Sequence, residues 1–141
     1  MALSREERAR FLAEPHIGAL SVEGGPGRAP LTVPIWYQYA PDGELWILTG
    51  INSRKAELIR AAGRFTLMAD VTEPTIRYVS VEGPLVSSEK GTREQLTEMA
   101  ARYLPADKVE GYVDWSWKEH GEQVAFTMRP ERWLSADLGS V

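Results

Sequence analysis

The chain has 141 residues, of which 43% are hydrophobic, with a formal net charge of −4 and no cysteine. This length supports one sizeable hydrophobic core, so we expect a single domain over residues 1–141. The acidic balance argues against a nucleic-acid surface, which requires clustered Lys and Arg, and the lack of cysteine excludes disulfides and thiolate zinc sites. Residues 1–16 contain no apolar run long enough for a signal peptide or a membrane span, so we expect a cytoplasmic protein with no membrane partner.

The first predicted element is a short helix over Ser4–Ala13. Ser4 and Glu7 have the spacing of a capping box, in which each side chain satisfies a backbone donor at the helix start, and Pro15 ends the helix. The next segment, "HIGALSV", predicts a strand. The Gly and Pro density of "EGGPGRAP" is then typical of a hairpin loop.

The clearest predicted strand is Leu31–Tyr39, where apolar residues at odd positions alternate with a second, mixed face. That second face carries Pro34 and Trp36, which is unusual for a face that is simply exposed to solvent. The turn "APDG" leads into a return strand over Leu45–Leu48. The two strands are therefore predicted to form an antiparallel hairpin.

A helix is predicted from about Ser53 to Gly63, because apolar residues follow helical spacing and glycine commonly ends a helix. Two strands follow, over Phe65–Asp70 and Ile76–Val86. The spacing then predicts a second long helix over Thr92–Leu104, which opens on another capping box.

The segment "ADKVEGYVDWSWKEHG" is ambiguous: it fits a short helix with Trp115 and Trp117 packing outward or across a subunit contact. A final strand is predicted over Gln123–Arg129, and "RWLSADL" follows it. The count is about six strands, joined mostly by hairpins. A small antiparallel barrel with peripheral helices fits this count, because closure removes exposed sheet edges.

The stretch "TGINSRKA" places Ser53, Arg54 and Lys55 at the start of a helix. A helix N-terminus has free N–H groups and a partial positive charge, so it binds anions, and basic side chains there are easier to understand if an anion offsets the repulsion. The alternative is that Ser53 only caps the helix while the two cations are solvated on its outer face. The stretch is no nucleotide-hydrolase phosphate loop, since it lacks the second glycine of that motif.

Four segments together resemble the flavin- and deazaflavin-binding split-barrel superfamily related to pyridoxamine 5′-phosphate oxidase: "GRAPLTVPIWYQY", "GELWILTGINSRKAELIRAAGRFTLM", "IRYVSVEGPL" and "MRPERWLSADLG". The resemblance runs from His16 to about Pro84 and more loosely to Leu138. It implies a mainly β fold, a six-stranded antiparallel split β-barrel with peripheral helices. It also implies a homodimer that holds FMN or the deazaflavin F420 in a groove between its subunits.

The resemblance further implies which residues contact the cofactor. The phosphate ligands are expected in "TGINSRKA": Thr49, Ser53, Arg54 and Lys55. The residues expected along the tricyclic ring lie on one strand: Val33, Pro34, Ile35 and Trp36. Trp36 is expected to contact the subunit interface and the ring together. Two residues are expected at the polar end of the cofactor and one as a pocket wall: Arg77, Tyr78 and Trp133.

Departures from the family pattern argue against oxidation of the vitamin itself. Those oxidases carry a basic residue at each end of the strand that flanks the ring, where this chain has Thr32 or Val33 and Tyr37 or Gln38. Their C-terminal Arg-Leu-His motif is replaced by "RPERWLSADLG". The shorter F420-dependent reductases match better in length and ending, so F420 is preferred to FMN. Three further cations are available for its longer anionic tail: Arg60, Arg64 and Arg77.

Two classes of function remain open from the sequence. The first is an oxidoreductase that moves hydride between a reduced cofactor and a small conjugated substrate, in which the cofactor carries the chemistry and no protein acid or base is required. The second is a non-catalytic protein that binds or stores the cofactor or another anionic ligand. The two histidines, His16 and His120, are far apart and are interpreted as surface or structural residues, so no catalytic pair and no metal site is predicted.

Overall fold

The computed structural model describes residues 1–139, in which four helices surround one curled antiparallel sheet of eight strands. The helices are α1 (Arg5–Ala13), α2 (Arg54–Ala62), α3 (Arg93–Tyr103) and α4 (Ala106–Glu119). The strands are β1 (Gly18–Val22), β2 (Leu31–Ile35), β3 (Tyr37–Tyr39), β4 (Leu45–Gly50), β5 (Arg64–Val71), β6 (Arg77–Lys90), β7 (Gln123–Met128) and β8 (Arg132–Asp137). The predicted mainly β class with peripheral helices is confirmed.

The order of the strands explains how the sheet closes. The path is β2-β1-β5-β6-β7-β4-β3, so β2 and β3 lie at its two ends, yet only Trp36 separates them in the chain. The sheet must therefore curl until its ends approach each other at Trp36. β6 is the longest strand, at 14 residues, and it pairs with β5 and β8 over its first part and with β7 over its second. The result is a split barrel.

The prediction of six strands is wrong, because the strand structure of two segments depends on pairing partners that are distant in sequence. The predicted strand Leu31–Tyr39 breaks at Trp36: β2 pairs with β1, whereas β3 pairs with β4. The alternation of apolar residues continues across this break, so the pattern does not reveal it. The segment "RWLSAD" forms β8 along β6, and this strand was not predicted.

Local capping signals predict the helix ends correctly. Ser4 and Thr92 form capping boxes with Glu7 and Gln95, so α1 and α3 begin where the sequence indicates. After α2, Gly63 adopts a left-handed conformation with φ of 70°, which costs glycine little because it has no Cβ. The ambiguous segment "ADKVEGYVDWSWKEHG" forms α4, a helix of 14 residues.

The barrel interior holds the main apolar core. Its fully buried side chains include Leu20, Tyr37, Ile47, Leu67 and Phe126, and burial of one large apolar side chain contributes about 1.5–3 kcal/mol to stability. A smaller apolar cluster joins α3 to α4. Among residues 1–139, no helix combines the length and apolar character needed to cross a membrane.

Candidate functional site

Two predicted phosphate ligands meet where β4 runs into α2. Thr49 lies near the end of β4 and is 5% exposed, because it pairs with Val124 in the middle of the sheet. Its Oγ1 is 3.2 Å from Oγ of Ser53, the N-cap of α2. The Ser53 hydroxyl also accepts a hydrogen bond of 3.2 Å from the Ala56 N–H. The loop therefore holds two hydroxyls together at the helix start.

Arg54 links the start of α2 to the loop between β1 and β2. Its guanidinium donates to the Gly24 carbonyl at 3.4 Å and lies 3.6 Å from the carboxylate of Glu57. The Arg54 side chain is 54% exposed, so this ion pair is worth about 1 kcal/mol or less. Arg54 is thus near the helix start, but it is partly engaged by the protein itself.

Lys55 is the cation of this element that the protein leaves uncompensated. It is half-buried, and it has neither an ion pair nor a side-chain hydrogen bond among the described residues 1–139. It lies in the first turn of α2, where the N–H groups before Ala56 have no intrahelical acceptor. A lysine there adds positive charge to the positive end of the helix dipole, which is unfavourable unless an anion is near.

A cavity of about 440 Å³ lies against this helix start. One wall is the β4–α2 loop from Gly50 to Ser53, and the other is the α4–β7 loop with His120, Gly121 and Glu122. The Ile51 N–H donates to the Glu122 carbonyl at 3.1 Å and holds the two loops together. The sequence interpretation missed His120, because only the pairing of β4 with β7 brings it here and no local signal marks it.

The aromatic residues of α4 continue away from this cavity. Trp115 is 53% exposed, and its ring lies 4.9 Å from that of His120 and 6.0 Å from that of Tyr112. Trp117 is 40% exposed. Both tryptophans are therefore exposed on the single chain, which fits either sequence alternative, outward packing or a subunit contact.

Of the residues predicted to lie along the ring, only Pro34 lies with Thr32 on the outer face of β2. Val33 and Ile35 pack against the barrel core, whereas Pro34 is exposed. Pro34 borders a cavity of about 420 Å³ on that outer face, together with Ala19, Met68 and other residues of β1, β2 and β5. A flat ligand on this face would therefore contact Pro34 and the β2 backbone.

Trp36 lies at the break between β2 and β3 and packs on the helices. Its ring stacks on Tyr103 at 4.8 Å with an angle of 11° between the planes, and it lies 5.2 Å from the ring of Tyr112. The Tyr103 hydroxyl accepts from the Tyr37 N–H at 3.1 Å, which fixes α3 against the break. Trp36 is thus half-buried between the barrel and the pair α3 and α4.

Arg77 and Tyr78 are neighbours on β6 and project from opposite faces. The Arg77 guanidinium lies 5.3 Å from the centre of the Phe11 ring, beneath α1, and its Nε is buried without a partner among the described residues. Tyr78 faces outward and pairs across the sheet with Asp70 and Ala136. Of these two residues, only Tyr78 lies on the outer face of the sheet with Pro34.

Trp133 lies on β8 and packs against the barrel core. The Arg8 guanidinium is 4.5 Å above its ring, and the ring of Tyr39 meets it edge-on at 6.1 Å. These contacts are on the side of α1, in a cavity separate from those at α2 and at Pro34. Its predicted role as a wall of the cofactor pocket stays a prediction.

The structure thus groups the predicted residues by location. Four lie at the start of α2: Thr49, Ser53, Arg54 and Lys55. Two lie on the outer sheet face, which β1 connects to that helix start: Pro34 and Tyr78. Ala19 pairs with Pro34 and Gly24 contacts Arg54, and the path along β1 between them is roughly 17 Å at about 3.3 Å per residue. The remaining predicted residues point inward or pack on helices: Val33, Ile35, Trp36, Arg77 and Trp133.

Solved structures with the same fold were found. A conserved hypothetical protein from Mycobacterium tuberculosis, Rv2991, is 27% identical with a TM-score of 0.71, over 97% of this chain and 86% of that one. An F420 reductase is 19% identical with a TM-score of 0.68, over 89% of this chain and 94% of that one. A FAD-binding protein from Mesorhizobium loti is 22% identical with a TM-score of 0.62, over 96% of this chain and 93% of that one.

The sequence matches no protein-family model and no curated protein. The structural neighbours nevertheless cover nearly all of the chain. They confirm the resemblance that the four sequence segments carry. The chain therefore shares its split-barrel fold with solved structures that include an F420 reductase and a FAD-binding protein.

Proposed function

We propose that this chain is an oxidoreductase that binds F420, or alternatively FMN, and transfers hydride between the cofactor and a small conjugated substrate. The anionic tail of the cofactor would bind at the start of α2, and the cofactor ring would lie along the outer face of β2. When bound, the cofactor supplies the hydride chemistry, while the protein binds it, orients it and excludes water.

The observation that carries this proposal is Lys55. A half-buried lysine without a carboxylate partner among residues 1–139, in the first turn of a helix, is electrostatically unfavourable in the absence of an anion. The paired hydroxyls of Thr49 and Ser53 add hydrogen-bond donors at the same place. This donor set fits a phosphate, because it combines a positive charge, hydroxyls and free helix N–H groups.

The loop between α4 and β7 would complete the phosphate site. His120 and the Gly121 backbone line the same cavity as Ser53, so they are placed to contact an anion bound there. Glu122 also lines this cavity, but Lys90 lies 3.3 Å from its carboxylate and offsets its charge. Arg54 and Lys55 do not line the cavity but lie in the first turn of α2 beside it, and since Arg54 pairs with Glu57, the uncompensated positive charge there is that of Lys55.

The preference for F420 over FMN rests on the resemblance to the shorter reductases and on one cation next to the site. Arg60 is exposed, and its guanidinium donates to the Ile51 carbonyl at 2.9 Å, within the loop that lines the cavity. Arg64 follows the other end of α2 and lies 3.9 Å from Glu131, so it is not next to this site. Because the deazaflavin has the longer anionic tail, a cation such as Arg60 beyond the phosphate favours it.

We further propose that a second copy of the chain covers the outer sheet face, which would make a homodimer with the cofactor between its subunits. The strand register aligns one row of side chains across five neighbouring strands: Pro34, Ala19, Met68, Ser80 and Leu134. Leu134 and nearby Ile17 are 65% and 56% exposed. Covering this row would remove apolar surface from water and enclose a ring that lies on it.

Isothermal titration with F420 and with FMN tests the cofactor proposal. We expect the double variant Arg54→Glu with Lys55→Glu to lose at least about 100-fold in affinity, because two charge-assisted contacts become repulsive. The matched control is Arg10→Glu with Lys108→Glu, which changes the net charge equally at exposed positions on α1 and α4 and should bind as the wild type does.

Retention of affinity by the Arg54 and Lys55 variant would refute the phosphate site. Steady-state turnover of the reduced cofactor with small conjugated acceptors then distinguishes an enzyme from a protein that only stores the cofactor. Binding without turnover of any acceptor would favour storage.

A further inference from the structure

A second cavity, of about 390 Å³, lies beside α1 and shares no lining residue with the cavity at α2. It is enclosed by the first turns of α1, the turn between β3 and β4, and the connection from β7 to β8. Tyr39 and Trp133 are its aromatic residues, and three arginines border it: Arg5, Arg8 and Arg129. No role for this cavity follows from the proposed cofactor site.

Arg8 is one of the arginines that line this cavity. It has no ion pair and no side-chain hydrogen bond within the part of the chain that the structure describes, and its Nε is buried with no acceptor. Its guanidinium is held 4.5 Å above the Trp133 ring by a cation–π contact. The two Nη nitrogens of Arg8 are not buried, so they are the donors that an acceptor on a ligand would reach.

Tyr39 provides a second donor that lacks an acceptor. Its side chain is 4% exposed, and its hydroxyl accepts a hydrogen bond of 3.3 Å from the Asp42 N–H. Within residues 1–139 no group accepts the hydroxyl proton of Tyr39. Burial raises the pKa of Tyr39, so the hydroxyl keeps its proton at neutral pH and remains a donor.

The other charges at the cavity are weakly paired at its rim. Arg5 lies 3.5 Å from Asp42, and Arg129 lies 3.5 Å from Glu131, with the arginine side chains 81% and 60% exposed. Exposed pairs of this kind contribute little and rearrange readily. Two carboxylates, Asp42 and Glu44, also border the cavity, so its lining has three arginines against two carboxylates and keeps a small positive balance.

We propose that this cavity is a second binding site, for a small organic oxyanion whose carboxylate or phosphate contacts Arg8 and Tyr39. The planar guanidinium matches the geometry of either oxyanion. The ring of Trp133 supplies apolar surface for the body of the ligand, and the volume is that of a pocket for a small molecule.

Titration calorimetry with benzoate and with inorganic phosphate tests this site. The titrations use the double variant Arg54→Glu with Lys55→Glu, so that the proposed phosphate site at α2 cannot bind the probe. We expect saturable binding of at least one probe to this variant at one site per chain. Adding Arg8→Gln should weaken that binding by about ten-fold or more, and adding Tyr39→Phe, which keeps the ring, by about three-fold to ten-fold.

Two results would overturn the proposal: no saturable binding of either probe to the double variant at about 10 mM, or unchanged affinity after both Arg8→Gln and Tyr39→Phe. Circular dichroism checks the fold of each variant. If Arg8→Gln does not fold, Arg129→Gln at the exposed rim takes its place. Unchanged probe affinity in both Arg129→Gln and Tyr39→Phe would then overturn the site. Which probe binds tells whether the oxyanion is a carboxylate or a phosphate.

Discussion

The guanidinium of Arg102 on α3 donates a hydrogen bond of 2.7 Å to the backbone carbonyl of Ala13, at the end of α1. It also donates to the Glu14 carbonyl at 2.8 Å and to Oε1 of Gln38 at 3.1 Å. The last carbonyls of a helix have no intrahelical donors and carry its negative dipole end, so a cation is favourable there. One side chain thereby joins α1, α3 and β3.

Replacement of Arg102 by methionine should destabilise the protein by about 2–4 kcal/mol, because several carbonyls lose their donor in a partly buried place. Urea unfolding followed by circular dichroism measures the change. The control is Arg10→Met, an exposed arginine in the last turn of α1, for which we expect less than about 0.5 kcal/mol. Equal effects of the two substitutions would show that the long-range contact of Arg102 adds nothing.

Ser53→Ala should separate the capping role of the hydroxyl from its role in binding the cofactor. Loss of the cap should cost about 1 kcal/mol of stability, and loss of a phosphate contact should weaken cofactor binding by about ten-fold. Ser4→Ala is the matched control, because Ser4 caps α1 in the same way, accepting from the Glu7 N–H at 3.1 Å. It should cost similar stability and leave cofactor affinity unchanged. If Ser53→Ala also left affinity unchanged, Ser53 would be only a helix cap.

Leu134→Lys tests the proposed subunit contact on the outer sheet face. A lysine in an apolar contact must lose its hydration without a partner. We therefore expect the dimer dissociation constant, measured by sedimentation velocity, to rise by at least about ten-fold. Val86→Lys is the control, since Val86 is a 39% exposed apolar residue elsewhere on β6. A wild-type protein that sediments as a monomer at about 100 µM would exclude this dimer.

We expect Asp137 to make part of the folding stability depend on pH in the acid range. The Gly139 N–H, 2.9 Å from its carboxylate, holds the pKa of Asp137 below its ordinary value of 3.8, and the Thr75 hydroxyl adds a hydrogen bond of 3.1 Å. Because the pKa is lower in the folded state, the ionised carboxylate stabilises the fold above about pH 4, and this is lost as the pH falls through the folded pKa.

The urea midpoint of Asp137→Asn should therefore lie below that of the wild type at about pH 6 and approach it at about pH 3. The control Glu89→Gln alters an exposed carboxylate on β6 that has no ion pair among residues 1–139. The difference in urea midpoint between Glu89→Gln and the wild type should stay the same from about pH 6 to about pH 3. A gap for Asp137→Asn that is constant with pH would contradict the assignment.

Much of the candidate phosphate site was predictable from sequence, because its parts are adjacent in the chain. Ser53 caps α2 and Gly63 ends it, as the spacing indicates, and Thr49 lies beside Ser53 because only a short loop separates β4 from α2. His120 was not predictable as a neighbour of Ser53, because the pairing of β4 with β7 brings it there from α4.

The strand that was expected along the cofactor ring shows the same limit. Its alternation correctly separates Val33 and Ile35 from Pro34, since successive side chains of a strand point to opposite faces. The alternation does not show that the chain changes partner strand at Trp36, nor that "RWLSAD" adds a strand along β6.

The sequence by itself determined the mainly β class, the starts and ends of α1, α2 and α3, and the clustering of hydroxyls and cations at the start of α2. These depend on hydrogen bonds and torsion angles within a few residues. Only the tertiary structure decided the strand count, the direction in which Trp133 projects, and the meeting of Arg8 with Trp133 beside Tyr39. Strand pairing and ring packing join residues far apart in the chain, so their energies are set by partners that no local pattern contains.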